Sequence, residues 1–240
     1  MSHPSEELAE LREASDVLLQ QTTEARARLR PVQAQDSSGE ILVRLDASGQ
    51  LLAVQVGFTW DQKLTKQELP VAVLAALTEA RTTRLEQYGT AIDDVSAEPT
   101  PRARPTATTS AVVTRFQERL HAHGDEPAAA GELVVELLTD AEVALVEANR
   151  LLDEHSGRQF AGRSGSGHVT ATASGAGDLQ ALELDQDWLG GAHPASLGRE
   201  ITQAVLAAGE RAQREGLAAA LRASKLAQLA QRLTDQSVQV

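Results

Sequence analysis

One offset organises this chain: much of residues 39–80 returns 128 positions later. Gly39 falls on Gly167, Ile41 on Val169, Val43 on Ala171 and Leu45 on Ala173. The match continues through Gly49 and Gly177, Leu51 and Leu179, Val54 and Leu182, Val56 and Leu184. The only two tryptophans, Trp60 and Trp188, coincide as well, and helical positions follow with Leu69 on Leu197, Val73 on Ile201, Leu77 on Val205 and Ala80 on Ala208. Upstream, an offset of 127 sets Leu11 on Leu138, Leu18 on Leu145 and Ala25 on Leu152. Chance supplies two or three such matches in Ala/Leu-rich sequence. A single offset running through strand, turn, tryptophan and helix points to one small unit carried twice.

The periodicities say what that unit is. Residues 5–30 place Leu8, Leu11, Leu18, Ala25 and Leu29 near helical spacing, with Ser15 and Thr22 interrupting the stripe and Pro31 ending it. The period then drops to two. Ile41, Val43 and Leu45 alternate with Leu42, Arg44 and Asp46, a turn follows at Ala47–Gln50, and Val54, Val56 and Phe58 alternate again. That is a β-hairpin with one apolar face, which needs a helical layer over it. Helical spacing returns over 66–88, and Thr65 with Glu68 has the spacing of a capping box.

The expected fold is therefore α+β. Two tandem α-β-β(-β)-α units with long amphipathic helices pair through their small antiparallel sheets as an intramolecular pseudo-dimer, with pairing between chains, a homo-oligomer, as the alternative. The first unit spans 1–94 and the second 131–240. Between them lie a Pro/Thr/Ala-rich linker, 95–111, and a short helical insert, 112–130. In the second unit the last helix would run from 196 to 234, weakened at Gly209 and Gly216.

Aromatics make up only 2% of the 240 residues, which favours Leu/Ala helix seams over an aromatic-filled sandwich. Cysteine is absent, so thiolate ligands, disulfides and a cysteine nucleophile are excluded, and the composition suits a reducing cytoplasm. The start, MSHPSEELAELREAS, has neither the basic segment nor the apolar run of a secretory signal, and no apolar stretch is long enough to span a membrane. The net charge is −12. Residues 1–95 and 131–240 each hold 9 basic and 15 acidic side chains. Such a chain repels polyanions at long range unless its cations cluster.

A leading helix, a strand after glycine, a glycine turn, a second strand ending near aspartate and a long Ala-rich helix: this order resembles the YbaB/EbfC family of nucleoid-associated proteins. It is best seen in SGSGHVTATASGAGDLQALELDQDWLGGAHPASLGREITQAVLAAGERAQ, residues 164–213, where the strand closes on Leu184-Asp185. The first copy is more divergent. Its strand ends Val56-Gly57-Phe58-Thr59, without the acidic residue. The resemblance implies homodimerisation through the small sheet, helices projecting like tweezers, and double-stranded DNA as partner. A chain with two such units looks like that dimer fused. The function it implies is nucleoid-associated, non-enzymatic DNA binding with weak or no sequence specificity, in the cytoplasm or on the nucleoid. The alternative is an acidic scaffold or adaptor that keeps the fold and binds another protein through its helical arms.

Arg26, Arg28 and Arg30 form the densest basic run, at the end of the first helix. Their ordinary role is to complement the helix dipole; their functional role would be phosphate contact. Arg158 and Arg163 occupy the equivalent connection in the second copy. Ser164-Gly165-Ser166-Gly167 lacks the Lys-Ser/Thr ending of a Walker loop and precedes a strand, so relaxed sheet entry is expected rather than nucleotide binding. Trp60 and Trp188 are expected to cover the junction of sheet and last helix. His155, His168 and His193 fall in different elements, and no nucleophile, base and acid share a recognisable motif. No cofactor, metal or catalytic residue is expected.

Overall fold

The computed structural model describes residues 4–97, 127–225 and 227–228. In chain order they form α1 (Pro4–Arg28), β1 (Val32–Gln35), β2 (Ile41–Leu45), β3 (Leu51–Val56), α2 (Trp60–Lys63) and α3 (Glu68–Ala97). There follow α4 (Pro127–Ser156), β4 (Gln159–Arg163), β5 (Val169–Ser174), β6 (Leu179–Leu184), α5 (Gln186–Leu189), α6 (Pro194–Glu215) and α7 (Leu217–Ala223). The fold is α+β, with two three-stranded antiparallel sheets, β1-β2-β3 and β4-β5-β6, each followed by helices. A short strand precedes the hairpin in each half. Residues 95–97 continue α3 and 127–130 begin α4. The rest of the expected linker and insert lies outside the described residues.

By contact the chain forms two units. A sheet unit comprises Ala25–Asp93 and Asp153–Ala219, and a helical unit comprises Met1–Glu24, Asp94–Leu152 and Ala220–Val240. Within the sheet unit, alternation does what the sequence asks. Ile41, Val43 and Leu45 are buried with Val54 and Val56, and so are Val169, Ala171 and Ala173 with Leu182 and Leu184. From the helices, Leu69, Val73, Ala76 and Ala80 face this core alongside Leu197, Ile201, Ala204 and Ala208, eight side chains at most 1% exposed. All belong to one apolar cluster. A three-stranded sheet alone buries too little to stand in water; here two sheets share one core.

Two glycines let helix and strand approach closely. A β-carbon on Gly198 of α6 would lie 2.4 Å from the Val54 carbonyl of β3, and one on Gly162 of β4 would lie 2.1 Å from the Ala208 amide nitrogen of α6. Helix α6 therefore packs against its own sheet at β4 and β5 and against β3 of the other. Thr202 Oγ1 completes the second contact by accepting the Val54 N–H at 2.9 Å. Further joins between the halves come from Arg81, which pairs with Asp178 at 2.8 Å, and Lys66, whose ammonium donates to the Gln186 carbonyl at 2.8 Å.

The halves match in register and differ in how they meet each local need. The glycines of positive φ are Gly39, Gly49, Gly167 and Gly177, two pairs at the 128 offset, and the sheet irregularities at 44/45 and 172/173 obey the same offset. Asp36 accepts from the Ser38 and Ile41 amides, both at 2.9 Å. At the equivalent turn Ser164 Oγ accepts from the Val169 amide at 3.2 Å. The cross-strand pair Val32–Leu45 becomes Phe160–Ala173, so one larger partner compensates one smaller.

Three expectations are corrected. Leu18 and Leu145, aligned by the 127 offset as seam positions, are 61% and 57% exposed; the buried face of α4 runs instead through Ala144, Ala148 and His155. The tryptophans part company too. Trp60 opens α2 and is buried, whereas Trp188 is half-buried and Leu189 takes the inward place. The cause is the cap: Asp185 accepts from the Asp187 and Trp188 amides and starts α5 earlier, while Gly57 has no side chain to do so. Finally, the last helix breaks at Gly216, where the Leu217 N–H leaves the helix to donate to the Gly175 carbonyl at 3.1 Å. In the first half α3 runs unbroken past the equivalent Tyr88, and the Arg84 guanidinium donates to the equivalent Ala47 carbonyl at 3.5 Å. The capping box forms as expected, with Thr65 N–H on Glu68 Oε2 at 2.8 Å and Glu68 N–H on Thr65 Oγ1 at 3.3 Å.

Two outcomes follow for stability. Gly198→Ala should lower it by about 1–3 kcal/mol in urea unfolding, because the new methyl meets backbone that cannot turn away; an unchanged midpoint would refute the close packing. The second concerns acid. Hydrogen bonds from the Lys63 ammonium to Glu40, from the Thr65 amide to Glu68, from His168 to Asp185 and from the Ser166 hydroxyl to Glu200 hold these carboxyls below their ordinary values. A lowered folded pKa contributes stability above the unfolded value of about 4 and loses it as pH falls through the folded one. The urea midpoint should therefore decline below about pH 4, and a midpoint that rises there would contradict these bonds.

Candidate nucleic-acid interface

Arg26 and Arg28 sit in the last turn of α1, where unsatisfied carbonyls gather, and Arg30 follows in the connection to β1. All three are exposed. Arg158 precedes β4 at the position 128 residues from Arg30 and is exposed; its Nη1 lies 3.2 Å from His155 Nε2. Arg163 closes β4 and donates from Nε to Thr170 Oγ1 at 3.4 Å. Arg26, Arg28 and Arg30 are close along the chain by necessity. Arg158 and Arg163 flank a strand of about 17 Å at 3.4 Å per residue, so they suit two phosphates rather than one.

The open faces of the sheets add a cation that was not singled out from sequence. Arg44 lies opposite Gln33 and Ala53 in register, and the neighbouring row is Gln35, Leu42 and Gln55. Within the strands this face holds no carboxylate; at its end Glu40 lies over Gly57, paired with Lys63. On the second sheet the row Arg163, Thr170, Glu183 is balanced, and Ala161, Thr172, Ala181 is neutral. Period two already placed Arg44 outward, opposite Val43 and Leu45; that alternation was the available signal.

The Ser164–Gly167 loop is occupied by the chain itself. Glu200, 8% exposed on α6, receives the Ser166 hydroxyl and, at 3.4 Å, the Ser166 amide, while the Gly165 amide goes to Gln203 Oε1 at 3.2 Å. The Ser166 and Ser164 hydrogen bonds keep the Glu200 carboxyl below its ordinary range, so an anion already fills this turn. A phosphate would have to displace a buried carboxylate. The equivalent of Glu200 is Ala72, and there the turn carries its own anion, Asp36.

The histidines have structural roles. His193 Nδ1 caps α6 by accepting the Ala195 amide at 3.2 Å. His168 bonds Asp185 at 3.1 Å and stacks on Trp188 with ring centroids 4.9 Å apart. Glu40 stands at the equivalent of His168, its carboxylate over Gly57, where it takes the Thr59 hydroxyl and the Lys63 ammonium. The acidic group absent after β3 is thus supplied from the neighbouring strand. Among the described residues no three His, Asp or Glu side chains gather to hold a metal ion, and no helix is long and apolar enough to cross a membrane. A cleft of about 370 Å³ between α2 and α6 is lined by Phe58, Trp60, Leu64, Lys66, Leu189 and Pro194. Asp61 also lines it, and its Lys66 is engaged with the Gln186 carbonyl.

No curated protein and no solved structure gives a significant match to this chain. A family model does, over residues 134–231, a stretch that begins in α4 and includes β4–β6 with the helices after them. With its glycine turns, its strand closing on Leu184-Asp185 and its long Ala-rich helix, that stretch matches the model of the YbaB/EbfC DNA-binding family.

Proposed function

We propose that this chain is a nucleoid-associated, non-enzymatic protein that binds double-stranded DNA with weak or no sequence specificity, acting in the cytoplasm on the nucleoid. The family match over 134–231 carries this reading. It is supported by the exposed arginines at the equivalent junctions before β1 and β4, Arg26, Arg28, Arg30 and Arg158, with Arg163 at the end of β4. The two halves are read as a duplicated unit, 1–94 and 131–240, paired within one chain as a pseudo-dimer. The shared offset of turns and sheet irregularities and the common core support that pairing.

Charge decides where DNA would approach. Within the sheet unit residues 25–93 sum to zero and 153–219 to −4, whereas the helical unit's segments, 1–24, 94–152 and 220–240, together sum to −8. Phosphates would be repelled by the segments of the helical unit and meet the arginines of the sheet unit. Binding should be weak and steeply salt-dependent, because few contacts form inside an acidic field.

Fluorescence anisotropy of a random duplex at several salt concentrations tests this. Replacing Arg26, Arg28 and Arg30 together by Ala should leave the fold intact, lower affinity at least about tenfold, and flatten the log–log salt slope by roughly 0.9 per lost contact. Equal affinities and slopes would remove this cluster from the interface. No binding by the unmodified chain at about 50 mM salt, where phosphate contacts are strong, would overturn the DNA reading.

A further inference from the structure

Helix α4 is apolar on two sides. Ala144, Ala148 and His155 form its buried face, 1%, 7% and 7% exposed. On the opposite side Val135, Val143 and Val146 are 62%, 47% and 65% exposed, with exposed Thr139 between them. Residues 135, 139, 143 and 146 are spaced by four, four and three, eleven residues in three turns, so they form one straight stripe along an α-helix. A scattered surface valine needs no explanation. A regular stripe of β-branched residues at seam spacing, on the side away from the buried face, is what a helix presents to a second helix.

The borders of the stripe say what kind of helix. Glu142 lies along one edge, and Asp140, the half-buried Glu147 and Glu154 lie along the other; Arg150, four residues past Val146, is the one Lys or Arg on the helix. A second copy of α4 would bring carboxylates against carboxylates in either orientation, which disfavours self-pairing. We propose that this face of α4 docks an amphipathic helix of another protein, its apolar stripe flanked by lysine or arginine. The observation is independent of the DNA reading, since it uses only α4 and the acidity that repels phosphate.

The test uses the full chain and labelled amphipathic peptides of roughly 20 residues, long enough to hold a helix. A Leu-striped peptide with Lys borders should bind, and the same stripe with Glu borders should not. The triple change Val135→Gln, Val143→Gln, Val146→Gln removes the apolar contacts at exposed positions and should weaken the Lys-bordered peptide at least about tenfold, with an unchanged circular dichroism spectrum. Asp140→Lys with Glu142→Lys should move the preference toward the Glu-bordered peptide. Equal binding to the unmodified chain and the triple variant would reduce the effect to charge alone and overturn the proposal. So would a chain that sediments as a dimer and becomes a monomer on the triple change, because the stripe would then be covered by a second copy.

Discussion

Neither three-stranded sheet is large enough to hold itself, and the closeness of α6 to two strands at once relieves that shortage. Gly198 brings α6 onto the Val54 carbonyl, Gly162 brings β4 onto the Ala204–Ala208 backbone, and Ile201, Ala204 and Ala208 face the apolar sides between them. Apolar burial contributes roughly 25 cal/mol per Å², so removing both sheets' inner faces from water is the dominant favourable term. The polar links, Thr202 on Val54, Arg81 on Asp178 and Lys66 on Gln186, fix position more than they add energy, since exposed ion pairs contribute little.

Around that core the halves keep interactions while exchanging the residues that make them. A turn anion is Asp36 in one half and Glu200, reaching in from α6, in the other. The carboxylate at the strand end is Asp185 in one and Glu40, over Gly57, in the other. Ala47 and Gly175 carbonyls both find donors, one a guanidinium and one the amide freed by a helix break. A buried polar group left without a partner is expensive, so each lost donor or acceptor must be replaced from somewhere nearby. Position-by-position similarity therefore understates how alike the halves are, and the missing acid after β3 is missing from the sequence alignment, not from the structure.

This explains what was legible beforehand. Strands, turns and the inner helix positions were readable because period two, positive-φ glycine and period 3.6 are local and backbone-imposed; Ile41, Gly49, Leu69 and Ala80 obey them. The capping box at Thr65–Glu68 was readable for the same reason. Roles decided by a distant residue were not. Trp188 matches Trp60 in sequence yet loses the inward place, because a cap three residues earlier shifts α5. Leu18 of α1 and Leu145 of α4 look like seam residues but are exposed; on α4 the buried side is built on alanines, which carry little hydrophobic signal. For the candidate interface, the arginine run at 26–30 was visible as composition, whereas the sheet register was needed to show that Arg44 has Gln33 and Ala53 as its cross-strand neighbours.

The distribution of charge gives the two units different chemistry. Residues 25–93 are neutral in sum, with exposed arginines, and 153–219 carry −4, while 1–24, 94–152 and 220–240 together carry −8. By net charge a polyanion is repelled less by the sheet unit than by the helical unit. A cationic partner experiences the reverse, and on α4 it also finds apolar side chains to bury.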